Sequence, residues 1–236
     1  MEILPENLGN LKSLRYLSAK RVAIKELPHS IAHLNGLEEL FLGGCENLET
    51  LPSGICNLKS LRRLDLSNCL RLEILPKNLG NLKNLKKLSY RGCRVLRFIH
   101  SLGLPCSLVV LDLGFNNFDG LPQSVMDLWD LEFLHLDNCN MVVSLIDLPS
   151  NLTHLSACDC KQLQSIPNEW GFARILKTKS KPKPTEFIFT NCMNLEETAV
   201  GNMLARLVKY RHQVITLLIH PLFSLSLSKL IMIFML

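Results

Sequence analysis

Aromatic residues are scarce in this 236-residue chain, at 6% of the total. A core built on stacked rings is therefore excluded, and aliphatic side chains must fill the interior. No excess of one charge runs through the main body. Residues 1–170 hold 17 basic and 18 acidic side chains, and the surplus that makes the net charge +5 lies after them. A nucleic-acid partner for the whole chain is not expected on that balance. No basic-then-apolar segment opens the sequence, because Glu2 and Pro5 interrupt Met1–Pro5. With nine cysteines, an odd number, this predicts reduced cytoplasmic thiols rather than a secreted disulfide framework. Asn151-Leu152-Thr153 is accordingly read as a chance sequon. No G-x-x-x-x-G-K-[ST] phosphate loop occurs. No Ser/His/Asp or Cys/His group can be assigned roles, so the chain is read as no enzyme, with no cofactor. Cys158-Asp159-Cys160 with His154 nearby is read as part of a structural pattern rather than a metal site.

Leucine fills the gap left by the aromatics, and it does so periodically. Leu37-Glu38-Glu39-Leu40-Phe41-Leu42-Gly43-Gly44-Cys45 returns at Leu61–Cys69, Leu85–Cys93, Leu131–Cys139 and Leu152–Cys160. The unit at Leu108 ends on Asn116, and the unit at Leu14 ends on Val22. Successive first leucines are 21 to 24 residues apart, and a Leu-Pro or Ile-Pro runs in phase at Pro5, Pro28, Pro52, Pro76, Pro122, Pro149 and Pro167. This is the leucine-rich repeat pattern. It predicts an α/β repeat solenoid: a right-handed coil with a parallel concave sheet and an irregular or short-helical convex side. Alternate leucines of a short strand point inward and stack on those of the next coil. The Asn or Cys turns the chain inward, and the proline holds the return segment extended. One coil cannot bury its own leucines, so stability comes from stacking. Residues 1–14 match residues 72–85 at 11 of 14 positions. Met1 thus falls inside a repeat, which predicts a piece of a longer array or an exposed first edge.

Cysteine at the turn position sets these repeats apart. The run Gly43-Gly44-Cys45-Glu46-Asn47-Leu48-Glu49-Thr50-Leu51-Pro52 resembles the repeats of plant nucleotide-binding leucine-rich repeat immune receptors, closest to the class that begins with a TIR domain. Phe187-Ile188-Phe189-Thr190-Asn191-Cys192-Met193-Asn194-Leu195, with Ala199 following, resembles the opening of the jelly-roll-like domain after the repeats in those receptors. The resemblance implies the recognition part of a plant defence receptor, truncated, without nucleotide-binding or signalling domains. Implied partners are a pathogen effector, a host guard target or a receptor nucleotide-binding domain. The alternative is a leucine-rich repeat scaffold that docks a small GTPase or kinase in signalling.

The expected organisation is repeats over 1–170, a basic linker over 171–185, the start of a truncated post-repeat domain over 186–212, and an apolar tail over 213–236. An eighth strand is expected near Phe187–Cys192. The linker holds Lys177, Lys179, Lys181 and Lys183 with two prolines, which reads as a solvated extended segment in preference to the alternative, a nuclear-import or anionic-surface patch that would add a nuclear location to the cytoplasmic one. The tail from Val214 has 16 of its 23 residues from V, I, L, M and F. That is long enough to cross a bilayer, although Pro221 and Lys229 disfavour a smooth span. This tail is the one segment through which membrane contact is open, and it reads more readily as a buried hydrophobic segment or, above all, a non-native end.

Concave positions are where such a solenoid binds. Large apolar side chains fall there at Tyr16, Phe41, Val110 and Phe133, histidines at His135 and His154, and a basic strip at Arg63, Lys87 and Arg91. Outward aromatics and arginines are common interface anchors. Eight strands about 4.8 Å apart, each roughly 12 Å wide, give on the order of 400 Å². That is about half of the ~800 Å² each partner buries in a standard interface.

Overall fold

The structure is a computed structural model that describes residues 3–73, 75–93, 103–145, 148–166, 185–196, 198–202 and 215–219. Nine strands form one sheet in chain order: β1 (Tyr16–Ser18), β2 (Glu39–Phe41), β3 (Arg63–Asp65), β4 (Lys87–Ser89), β5 (Val110–Asp112), β6 (Phe133–His135), β7 (His154–Ser156), β8 (Thr185–Phe189) and β9 (Ile215–Ile219). Every neighbouring pair is parallel. The register aligns the central leucines, so Leu17, Leu40, Leu64, Leu88, Leu111, Leu134 and Leu155 make one row, which Phe187 continues. From Leu40 onward that row is buried. The predicted solenoid is the observed fold.

The turn residues form a second row behind the sheet. Each thiol donates to a carbonyl of the preceding coil: Cys45 to Ala19 at 3.0 Å, Cys69 to Leu42 at 3.4 Å, Cys93 to Leu66 at 2.9 Å, and Cys139 to Leu113 at 3.3 Å. Cys160 donates to Leu136 at 3.2 Å and Cys192 to Ala157 at 3.0 Å. Asn116 stands in this ladder and donates to Tyr90, Leu113 and Gly114 at 2.9, 2.7 and 3.1 Å. All nine cysteines are free thiols. Cys160 thus occupies the ladder position that its repeat predicts.

The residue just before each turn residue has a left-handed backbone: Arg21, Gly44, Asn68, Gly92, Phe115, Asn138, Asp159 and Asn191, with φ between 55° and 79°. Glycine, asparagine and aspartate tolerate this conformation, which accounts for six of the eight. Arg21 and Phe115 do not fit that rule.

The prolines act as predicted. Pro5, Pro28, Pro52 and Pro122 are extended, with φ from −62° to −71° and ψ from 139° to 151°. Each carbonyl accepts from the amide three residues on, at 2.9 to 3.0 Å, and so opens the convex turn. Those four turns are 3₁₀ helices at Glu6–Asn10, His29–His33 and Ser53–Asn57 and one short α-helix, α1, at Gln123–Met126, while a further 3₁₀ helix at Leu79–Asn81 follows Asn78.

The last two strands refine the expected organisation. The Phe187–Cys192 segment pairs with β7 and continues the thiol ladder, as an eighth coil does. Within the apolar 213–236 stretch, Ile215–Ile219 is a strand paired with β8. Among the described residues no helix is long and apolar enough to cross a membrane. The four linker lysines, Pro221 and Lys229 lie outside the described residues.

The concave face as candidate functional site

With the central leucines turned in, the residues on either side of them project from the concave face. In strand register the first row reads Tyr16, Glu39, Arg63, Lys87, Val110, Phe133, His154 and Glu186. The second reads Ser18, Phe41, Asp65, Ser89, Asp112, His135, Ser156 and Ile188. The register therefore brings all nine expected residues except Arg91 into two adjacent rows, and Arg91 lies two residues beyond Ser89.

Phe41 requires a correction. It was expected to face water, but it is only 5% exposed. The Tyr16 ring sits 5.2 Å away, Lys20 lies 4.7 Å over the ring and Arg63 lies 4.8 Å over it. Two cations and an aromatic cover an apolar group on the outer face, so Tyr16 and Arg63 present the accessible surface there.

Arg91 requires a second correction. It does not extend a strip of free positive charge, because its guanidinium is 3.7 Å from Asp112 and 3.8 Å from Asp137. It also lies 4.2 Å over Phe115. Asp137 additionally accepts from the Ser156 hydroxyl and from the Cys158 amide. Lys20 is likewise paired, at 3.4 Å from Asp65. Arg63 and Lys87, neighbours across β3 and β4, keep exposed side chains and make no ion pair among the described residues.

The remaining expected residues divide into two settings. Phe133 and His154 stack, with ring centroids 4.2 Å apart and planes 13° from parallel, and His154 is fixed further by Thr153 at 2.8 Å. Val110 is half-buried beside them. His135 lines an open depression of about 320 Å³ with Arg63, Lys87, Arg91, Asp112 and Val110. The depression offers cations, carboxylates and hydroxyls on an aliphatic floor. It suits a side chain or short segment of a protein partner better than a buried small molecule.

Phe115 escaped the sequence pattern. It is 51% exposed at the rim of this face, with φ 59°. Its signal was readable: it takes the place that glycine, asparagine or aspartate holds in six other coils. A bulky residue kept in a left-handed conformation is held there by its surroundings, and such positions concentrate at functional sites.

Sheet, thiol ladder and concave rows together define a leucine-rich repeat solenoid, a protein-interaction scaffold. Residues 2–104 match the family model described as "Leucine-rich repeat region". The relatives are plant disease resistance proteins. The chain is 44% identical over 200 residues to disease resistance protein LAZ5 of Arabidopsis thaliana, covering 84% of this chain and 16% of that one. It is 32% identical over 198 residues to disease resistance protein RPS4B of the same plant, covering 83% and 14%. It is 33% identical over 104 residues to disease resistance-like protein DSC1, also from Arabidopsis thaliana, covering 44% and 8%. The chain thus spans 8 to 16% of the length of these relatives. The resemblance to plant immune receptors of the TIR class is borne out. Among solved structures, the leucine-rich repeat domain of the type III effector XopL aligns with TM-score 0.51 at 21% identity, covering 94% of this chain and 66% of that one. The functional domain of InlJ from Listeria monocytogenes, which includes a cysteine ladder, aligns with TM-score 0.51 at 17% identity, covering 96% and 48%. These two show the shared fold.

Proposed function

We propose that this chain is the protein-recognition part of a plant cytoplasmic immune receptor, and that its concave face is the binding surface. The observation that supports this most is the pairing of two facts. The relatives that match over more than four-fifths of the chain are named disease resistance proteins. The same chain presents Tyr16, Arg63, Lys87, the Phe133–His154 stack and Phe115 on one continuous face. The partner is a pathogen effector, a host guard target, or the nucleotide-binding domain of a receptor. The relatives favour this reading over a scaffold for a small GTPase or kinase.

The face is small. Nine strands at about 4.8 Å make a face only some 40 Å long, short of what a tight standard interface needs. Contacts outside the concave face of this chain would have to supply the remaining area of a standard interface. Co-precipitation with candidate effectors, comparing the parent with a Tyr16→Ala, Arg63→Ala, Lys87→Ala, Phe133→Ala variant, tests the assignment. Lost capture supports it, and capture that is unchanged removes it.

A further inference from the structure

Two adjacent coils carry an unusual density of positive charge. Lys59, Arg62 and Arg63 in the third coil meet Lys83, Lys86 and Lys87 in the fourth, and all six side chains are exposed. The backbone that carries them is fixed across the two coils. The Arg62 carbonyl accepts from the Lys86 and Lys87 amides at 2.8 and 3.0 Å, and the Asn84 side chain donates to the Lys59 carbonyl at 2.7 Å. The result is a grid three residues deep and two strands wide, running from the flank of the solenoid onto its concave edge. Its one ion pair among the described residues is Arg62 to half-buried Glu38, at 3.9 Å, and Glu38 is held more closely by Arg15 at 2.6 Å. Screening leaves such a contact little strength.

The borders of the grid select the partner. On one side the equivalent positions are Glu38 and Glu39, and on the other they are Val109 and Val110, both half-buried. A nucleic-acid strand tracked along the sheet would leave the cations after two coils. It would then meet carboxylates in one direction and aliphatic side chains in the other, with no aromatic inside the grid to stack a base. A protein segment can match both borders, because its composition can change within a few residues.

We propose that this six-cation flank docks an acidic segment of a partner protein, its carboxylates against Arg62, Arg63, Lys86 and Lys87 and its following apolar side chains against Val109 and Val110. This deepens the protein-recognition reading and rests on it. Arg62 and Lys86 lie off the concave rows, which makes the two separable by experiment.

The test uses the full chain and a fluorescein-labelled octapeptide of four glutamates, one glycine and three leucines. Fluorescence anisotropy at low salt should show saturable binding that weakens as NaCl rises. Arg62→Glu with Lys86→Glu should weaken it about tenfold or more, while Lys161→Glu, an exposed charge on the seventh coil, should leave it within twofold. Should the reversal variant fail to fold by circular dichroism, Arg62→Gln with Lys86→Gln is read instead, with at least threefold weakening expected. Equal peptide binding by the parent and the double variants would overturn the proposal. So would tighter binding of a labelled oligothymidylate, or of phosphatidylserine vesicles, lost on the same substitutions. Phe133→Ala moves the concave reading and not this one, so failure of either is recognised separately.

Discussion

The Arg91 guanidinium lies 4.2 Å over the Phe115 ring while it sits between Asp112 and Asp137, at 3.7 and 3.8 Å. One cation thus holds two carboxylates and an exposed aromatic whose backbone is left-handed. Replacing Phe115 by glycine removes about 1 kcal/mol or more of backbone strain. It also loses about 0.5–1 kcal/mol of cation–π contact and adds unfolded-chain freedom. These effects offset, so urea unfolding of Phe115→Gly should give a stability within about 1 kcal/mol of the parent. Arg91→Ala should cost more, because Asp112 and Asp137 lose their shared cation. The reverse order would mean that Phe115 is a packing residue rather than a displayed one.

Asn116 is the one amide in a ladder of thiols, and it serves three carbonyls where each cysteine serves one or two. Asn116→Ala removes one of two donors from each of three carbonyls, which keep the Cys93 amide, the Cys139 thiol and the Gly92 amide, and should cost about 1–2 kcal/mol. Asn116→Cys restores the pattern of the neighbouring coils and should cost about half as much. Thermal unfolding of the two variants side by side decides this, and equal losses would show that the ladder bonds add nothing specific.

The buried ladder makes the fold sensitive to alkali. Burial pushes the Cys93 and Cys139 thiols up to about 12, and desolvation raises Cys69 in the same direction. In an unfolded chain a thiol titrates near 8.5. The folded state therefore holds protons that the unfolded state releases, so stability is fully present below about pH 8.5 and is lost as pH rises toward 12. Urea titrations should give a flat profile from pH 7 to 8 and a steep fall above about 9. A thiol reagent at pH 8 should modify exposed Cys106 first and half-buried Cys158 more slowly. The ladder should react only on unfolding. Rapid modification of six or more thiols in the folded protein would contradict the ladder.

Phe41→Ala should behave as a core substitution even though Phe41 stands on the outer face. The ring is 5% exposed beneath Tyr16, Lys20 and Arg63, and its loss should cost about 2–4 kcal/mol. Tyr16→Ala, at a site 56% exposed, should cost less than about 1 kcal/mol. A thermal shift larger for Tyr16 than for Phe41 would reverse this assignment.

What periodicity sets was legible, and what long side chains do across coils was not. The first seven strands, their order, the ladder and the proline turns follow from spacing alone, because one leucine position recurs in each of those coils. Phe41 looked exposed because period two places it outward. Only the three-dimensional neighbourhood shows Lys20 and Arg63 folding over it from the adjacent strands. Arg91 looked free because its partners Asp112 and Asp137 are 21 and 46 residues away in sequence. Phe115 was overlooked because a backbone conformation, rather than a side-chain period, makes it unusual. The strand at Ile215–Ile219 was hidden in a stretch whose even hydrophobicity carries no alternation.

The central claim is that partners are read by the concave face. Its most direct test is co-precipitation of candidate effectors and resistance-receptor nucleotide-binding domains with three forms of the chain. These are the parent, a concave variant (Tyr16→Ala, Arg63→Ala, Lys87→Ala, Phe133→Ala), and a convex variant (Glu6→Ala, Asn10→Ala, His29→Ala, Asn57→Ala). Capture of a protein by the parent and the convex variant, reduced at least tenfold in a folded concave variant, is the predicted result. Capture kept by the concave variant and lost by the convex one would contradict the account.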